Sequence, residues 1–342
     1  MMAAEILPID EKFGRLVEKL RYELGDTVCE LLDRDRRVED ISLNPDGFLW
    51  VKRTGAPFEK CGSLAPGLAQ GAMMTIASMR KTTITDRHPV LETNLPVWGS
   101  RFAGIIEPVV TAPTFVIRQP SAQRFGLKDY EQAGILTRKG DPRNRIRKQM
   151  EFLEAVEGLS HREVIEKAIQ ERRNIVLVGS TGAGKTTLGN AILAGIADLT
   201  PHDRVIVIED TPELQIECAN HVSMLATTDF PIRGCVMVSM RLRPSRIVVG
   251  EVRDGTALEL LKAWNTGHPG GILTVHANDA YAGLIRLEDL VREATPAPQQ
   301  RFIGEVVDLV ISIFLDPLEG RKVREVAVVS GWEDGHYRLM QV

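Results

Sequence analysis

Gly179-Ser180-Thr181-Gly182-Ala183-Gly184-Lys185-Thr186-Thr187 decides how this chain reads. It matches the phosphate-cradling pattern GxxxxGK[ST] in full, and both of its flanks fit. Ahead of it, Asn174-Ile175-Val176-Leu177-Val178 is a short β-branched apolar run that predicts a buried strand. Behind it, residues 187–197 carry apolar side chains at helical spacing. Glycines let such a loop curl until successive N–H groups and the helix N-terminus point at phosphate oxygens. Lys185 then reaches the β- and γ-phosphates, and the Thr186 hydroxyl holds Mg2+. The stretch predicts a nucleoside-triphosphate site on a strand–loop–helix unit.

Three further apolar runs end in polar residues, as strands do when their carboxyl ends line a ligand crevice. Arg204–Ile208 closes on Glu209-Asp210-Thr211-Pro212-Glu213, and Arg246–Val249 closes on Gly250-Glu251-Val252-Arg253-Asp254. The third, Gly271–Val275, closes on His276-Ala277-Asn278. Phosphoryl transfer to water is mostly positioning and charge neutralisation, so it needs a carboxylate to orient and polarise the water. Glu251 is read as that carboxylate. Glu209 and Asp210 are read as holding a metal's water shell or bearing on the triphosphate. His268 and His276 bracket Pro269-Gly270-Gly271 and the strand after it, a pattern that suggests γ-phosphate sensing or conformational coupling. No third ligand stands near them at a metal-binding spacing.

With 342 residues the chain is long enough for two cores, and 44% hydrophobic with 26% charged residues is an ordinary globular balance. A net charge of −4 gives no general attraction to nucleic acid or acidic membrane. No apolar run has membrane-spanning length and the first residues lack a signal-peptide pattern, so a cytoplasmic protein is expected. Cys29, Cys61, Cys218 and Cys235 are scattered, which suggests neither a metal site nor a disulfide framework.

The expected organisation is an N-terminal α+β domain over 1–121, a basic linker over 122–150 and an α/β domain over 151–342. Phe13, Leu16, Val17, Leu20 and Leu24 share one helical face, with Gly25 as a natural stop. From Val38 to Arg118 apolar runs alternate with turn signals such as Asn44-Pro45-Asp46-Gly47, Gly55-Ala56-Pro57 and Ala65-Pro66-Gly67, which predicts hairpins. The run Arg138–Lys148 is strongly basic and reads as a solvated linker. A nucleic-acid patch is the alternative there, but no aromatic residues interleave to stack on bases.

The four polar strand ends, in this order, resemble the Walker A loop, Asp box (Ile208–Glu213), Walker B segment (Arg241–Arg253) and His box (Gly267–Gly271 to Asn278) of the type II/type IV secretion ATPases. The run Leu261–Gly271, with Trp264-Asn265-Thr266-Gly267, is similar to the TrbB family of conjugal-transfer ATPases, relatives of the VirB-type motors. Leu43–Trp50, Gly99–Gly104, Ala112–Arg118, Val307–Val310 and Arg324–Val326 extend the likeness over nearly the whole chain.

That resemblance implies a RecA-like P-loop ATPase domain joined to a smaller α+β N-terminal domain, with ATP and Mg2+ as cofactors. It implies a homo-hexameric ring, peripherally associated with the inner membrane among the components of a secretion or conjugation machine. No sequence-specific nucleic-acid binding is expected. Arg101 and Arg118 occupy the positions of N-domain arginines that close over the phosphates. Two departures stand out: Ser245 and Met237 replace an aspartate and an arginine common in relatives, and Phe230–Cys235 looks poorly helical because of Pro231 and Gly234. A type II secretion or pilus extension/retraction ATPase is the alternative machine. A DNA translocase and a nucleotide-gated ring with negligible turnover are the rivals in other classes.

Overall fold

The structure, a computed structural model, describes residues 11–120, 126–136 and 145–342, the side chains of residues 12 and 145–148 excepted. Residues 137–144, the heart of the expected basic linker, lie outside the described ones. The chain divides into two compact units, residues 1–123 and 124–342.

In the first unit, α1 (Glu11–Arg34) is two helical segments meeting at Gly25, whose φ of 77° and ψ of 163° break the helix. Gly25 therefore stops the first segment as expected, but a second one resumes directly and runs to Arg34. Leu20 and Leu24 of the predicted face are fully buried, whereas Phe13 stays exposed. Six strands follow: β1 (Val38–Leu43), β2 (Phe48–Arg53), β3 (Phe58–Ser63), β4 (Val90–Asn94), β5 (Arg101–Ile105) and β6 (Thr114–Arg118). They form an antiparallel sheet in the order β3-β2-β1-β6-β5-β4. Asn44–Gly47 turns β1 into β2, with the Gly47 N–H donating to the Asn44 carbonyl at 3.0 Å. Ala65-Pro66-Gly67 is not a turn but the start of α2 (Pro66–Met79). Pro66 sits at the first helical position, where its missing N–H costs nothing. Leu24, Val28, Ile41, Leu43, Met73, Ile76, Phe115 and Ile117 make the core of this unit.

In the second unit, α3 (Leu127–Gln132) and α4 (Arg145–Val156) precede α5 (His161–Gln170). The α4 helix reaches back across the expected domain boundary. Its Gln149 is buried, donates to the Val329 carbonyl and accepts from Arg173 at 3.1 Å, and its Phe152 lies in the core. The sheet then grows through β7 (Ile175–Val178), β8 (Arg204–Glu209), β9 (Asn220–Leu225), β10 (Arg246–Val249), β11 (Ile272–Val275), β12 (Leu309–Asp316), β13 (Gly320–Glu333) and β14 (His336–Gln341). Its order is β14-β13-β12-β7-β11-β10-β8-β9. The strands from β12 to β9 pair in parallel, and β13 and β14 add an antiparallel edge. Every residue of β7, β8, β10 and β11 is buried, as in strands covered on both faces. Those covers are α6 (Lys185–Leu199), α7 (Ile232–Ser239), α8 (Thr256–Asn265), α9 (Ala280–Ala294) and α10 (Gln300–Val306) together with α5.

The segment read as poorly helical folds as α7. Pro231 is its N-cap, outside the hydrogen-bonded turns, so its ring breaks nothing. Gly234 is inside the helix because the Phe230 ring packs there: a Cβ would lie 3.1 Å from that ring. At the N-terminal edge of the parallel strands, Arg246 and Asp203 form a buried ion pair at 2.6 Å. Arg246 also donates to the Ile169 and Gly270 carbonyls, and Arg172 adds a second guanidinium to Asp203. Ser245, at the same edge, accepts from the Arg204 N–H at 3.1 Å. This network ties together the edge of the sheet opposite the phosphate loop.

Candidate active site

The phosphate loop leaves β7 at Val178 and enters α6 at Lys185. Gly179 passes so close to β12 that a Cβ would lie 2.4 Å from the Ile313 carbonyl oxygen. Gly184, at φ 103°, makes the left-handed step into the helix that a side chain would resist. Gly179 and Ala183 are buried at the base of the loop, and Ser180 is exposed. Thr181, Gly182, Gly184, Lys185, Thr186 and Thr187 line a cavity of about 540 Å³. The carboxyl ends of β8, β10 and β11 complete it with Glu209, Asp210, Glu213, Gly250, Glu251, Arg253, Thr274 and His276, and β13 contributes Arg321.

Lys185 is buried. Its Nζ donates to the carbonyls of Gly179 and Ser180 at 2.9 and 3.1 Å and approaches His276 Nδ1 at 3.3 Å. Desolvation lowers its pKa against the opposing pull of Glu251. His276 Nε2 in turn stands 2.9 Å from Glu251 Oε1. A ring that accepts at Nδ1 carries its proton on Nε2 and donates it to the carboxylate. Lys185, His276 and Glu251 thus form one hydrogen-bonded line across three strand ends. Burial pushes the Glu251 carboxyl up, but the Arg253 hydrogen bond and charge, with His276 and Lys185, outweigh it and hold its pKa below the ordinary value. Arg253 bonds Glu251 at 2.7 Å and reaches Asp210 at 3.4 Å.

Glu209 behaves differently from Glu251. It is buried, and its Oε1 accepts the backbone N–H groups of Glu213 and Leu214, both at 2.9 Å. It therefore shapes the loop that presents Glu213, which accepts the Thr186 hydroxyl at 3.0 Å. His268 is not brought into the cavity. It precedes β11, at the opposite edge of the sheet, with Nδ1 2.9 Å from the Pro244 carbonyl; burial lowers its pKa. Arg101 and Arg118 face each other as cross-strand partners at the exposed ends of β5 and β6 in the first unit. Trp264 of the similar run is core: it is 2% exposed and donates from Nε1 to the Ile247 carbonyl at 3.0 Å.

Sequence reading assigned no role to Glu213, Arg253 or Arg321. The first two stand inside motifs already quoted, two and four residues past assigned carboxylates, Glu251 and Glu209 respectively for Arg253 and Glu213. Arg321 had no local signal, because only the sheet order brings β13 to the loop.

A phosphate loop on a parallel sheet, with a carboxylate, a histidine and the loop lysine in one line, defines a P-loop ATPase of the RecA-like class. Residues 142–315 match the model described as type II/IV secretion system protein. The chain is 41% identical over 324 residues to the conjugal transfer protein TrbB of Rhizobium radiobacter, covering 95% of this chain and 93% of that one. It is 35% identical over 254 residues to the type IV secretion system protein VirB11 of Bartonella henselae, covering 66% and 67%. The crystal structure of the VirB11 ATPase of Brucella suis, in complex with sulphate, superposes with a TM-score of 0.82 at 26% identity, covering 93% and 97%. The chain belongs to the type II/IV secretion ATPase family, in its TrbB and VirB11 branch. Among the described residues no helix is long and apolar enough to cross a membrane.

Proposed function

We propose that this chain is a hexameric Mg-ATP-hydrolysing motor that powers conjugative DNA transfer or type IV secretion from the cytoplasmic face of the inner membrane. The observation that carries the chemistry is the Lys185–His276–Glu251 line. Lys185 neutralises the β/γ-phosphate charge, and Glu251 orients water and takes its proton as the water oxygen bonds to the γ-phosphorus and ADP leaves. His276, bonded to both, couples the state of the γ-phosphate to the β11 end.

No group of three or more His, Cys, Asp or Glu residues among the described ones makes a protein-only metal cage. The Thr186 hydroxyl beside the Glu213 carboxylate, with Asp210 nearby, is instead the hard-oxygen set that suits an Mg2+ shared with phosphates and water. When bound, the metal would offset phosphate charge. Arg101 and Arg118 set two like charges side by side, an arrangement that costs stability and that an anion relieves. Their closing over the phosphates is the proposed work stroke. TrbB as the named relative favours a conjugation machine over a type II secretion or pilus motor.

The test is phosphate release with and without Mg2+, with the mass of the particle measured in the same buffer. A hexamer whose turnover needs Mg2+ and vanishes in Lys185→Ala is expected. Wild-type turnover in Lys185→Ala would overturn the site, and a monomer at every nucleotide concentration would overturn the ring.

A further inference from the structure

The phosphate loop has two flanks, because β7 lies between β11 and β12 in the sheet. The β11 flank carries Glu251, His276 and Glu209, all in motifs. The β12 flank continues into β13, which lies beyond residue 315, where the family match ends. There β12 turns into β13 and carries Arg321 back over the loop: a Cβ on Gly184 would lie 2.7 Å from Arg321 Cδ and 3.0 Å from its Nε.

The neighbours of Arg321 are accounted for. Lys322 pairs with Glu319 at 3.0 Å. Arg324 stacks 4.5 Å over Phe314 and donates to the Asn278 carbonyl at 3.3 Å. Glu325 accepts the Ala280 N–H at the start of α9. Among the described residues the Arg321 side chain has no hydrogen-bond or ion-pair partner, yet it lines the same cavity as Lys185. By contrast, the other cavity guanidinium, Arg253, is engaged by Glu251 and Asp210. The contacts of Arg324 and Glu325 anchor the hairpin to the segment just after His276, so Arg321 stands on a held strand.

We propose that Arg321 is a second phosphate-binding cation, holding the non-transferred α- and β-phosphates of the nucleotide from the β12 side. This rests on the nucleotide site proposed above. The water-activating carboxylate lies on the β11 side of the loop, so the γ-phosphate faces that way and the β12 side faces the phosphates that stay with ADP. A planar guanidinium suits two phosphate oxygens at once. Arg321 is thus a positioning residue that acts on ADP and ATP alike.

The experiment is calorimetric titration of the full chain with Mg-ADP, alongside steady-state ATP turnover, for wild type, Arg321→Gln, Arg321→Lys and Lys322→Gln. Circular dichroism and the melting midpoint confirm that each variant is folded. Loss of a charge-assisted hydrogen bond corresponds to about ten- to a hundredfold in Kd. Arg321→Gln should weaken ADP by that factor and raise the KM for ATP in parallel, with kcat at saturation within about threefold. Arg321→Lys should recover part of the affinity, and Lys322→Gln should change nothing. ADP affinity in Arg321→Gln within about twofold of wild type, or a fall in kcat at unchanged affinity, overturns the proposal alone. Failure of the wild-type chain to bind ADP overturns the nucleotide site and this proposal with it.

Discussion

Replacing Glu251 by glutamine keeps the shape of the side chain and removes its charge and basicity. The carboxylate accepts at both oxygens, from His276 at 2.9 Å and from Arg253 at 2.7 Å. An amide has one oxygen. Arg253, a donor at every nitrogen, takes it, which turns the new NH2 toward the Nε2–H of His276. The ring relieves that clash by moving its proton to Nδ1, where it then opposes the donation from Lys185 at 3.3 Å. One substitution therefore removes the base and breaks the line at its middle joint. Loss of a positioned base costs about 10²–10⁴-fold in rate, or about 3–5 kcal/mol of barrier. Binding should not weaken, because a negative charge has left a site for a polyanion. Single-turnover phosphate release at saturating Mg-ATP measures the first quantity, and calorimetry with ATP measures the second. Turnover within about tenfold of wild type, or a lost affinity with turnover retained, would refute the assignment of Glu251 as base.

Lys185→Ala should abolish nucleotide-dependent phosphate release, since the remaining loop N–H groups carry no full charge; turnover at the wild-type rate would contradict this. Asp203→Asn should lower stability by about 3–5 kcal/mol in denaturant unfolding, because it leaves the buried Arg246 guanidinium without its counter-charge. Burial pushes the Asp203 carboxyl up, but hydrogen bonds and charges of Arg172 and Arg246 hold it below its ordinary value. The sign follows: a depressed carboxylate stabilises fully above its unfolded pKa, near about 3.9, and that contribution is lost as pH falls through the lower folded value. Wild type should therefore lose stability in acid below about pH 4, more steeply than Asp203→Asn, when melting is followed against pH. His268→Ala should leave the Kd for ATP within about twofold, because that ring bonds Pro244 at the far edge of the sheet; a tenfold loss would show that the edge reaches the cavity.

Much of the second unit was legible in the chain because its signals are local. A buried parallel strand is a continuous apolar run, and the polar residue that follows it marks the crevice, so β7, β8, β10 and β11 read almost to the residue. Helix breakers read less well. Pro66 and Pro231 look like interruptions and are helix starts, because the cost of proline depends on its position within the turn. The expected linker boundary at residue 150 falls inside α4 for a related reason. Polar, basic residues begin α4, but Gln149 and Phe152 face the core, and only packing distinguishes a solvated segment from a helix with one buried stripe.

The amino-acid sequence by itself determined the phosphate loop, the four strand ends that share it and the family to which they belong, since each is a short-range pattern of backbone permissiveness and apolar runs. Tertiary structure decided which motif residues meet. It joined His276 to Lys185 and left His268 on the Pro244 carbonyl, made Glu209 a brace for its own loop while Glu251 meets His276 and Arg253, and brought Arg321 to Gly184 through sheet order alone. Strand neighbours are set by hydrogen bonding between segments remote in the chain, and no local pattern encodes which distant strand will pair.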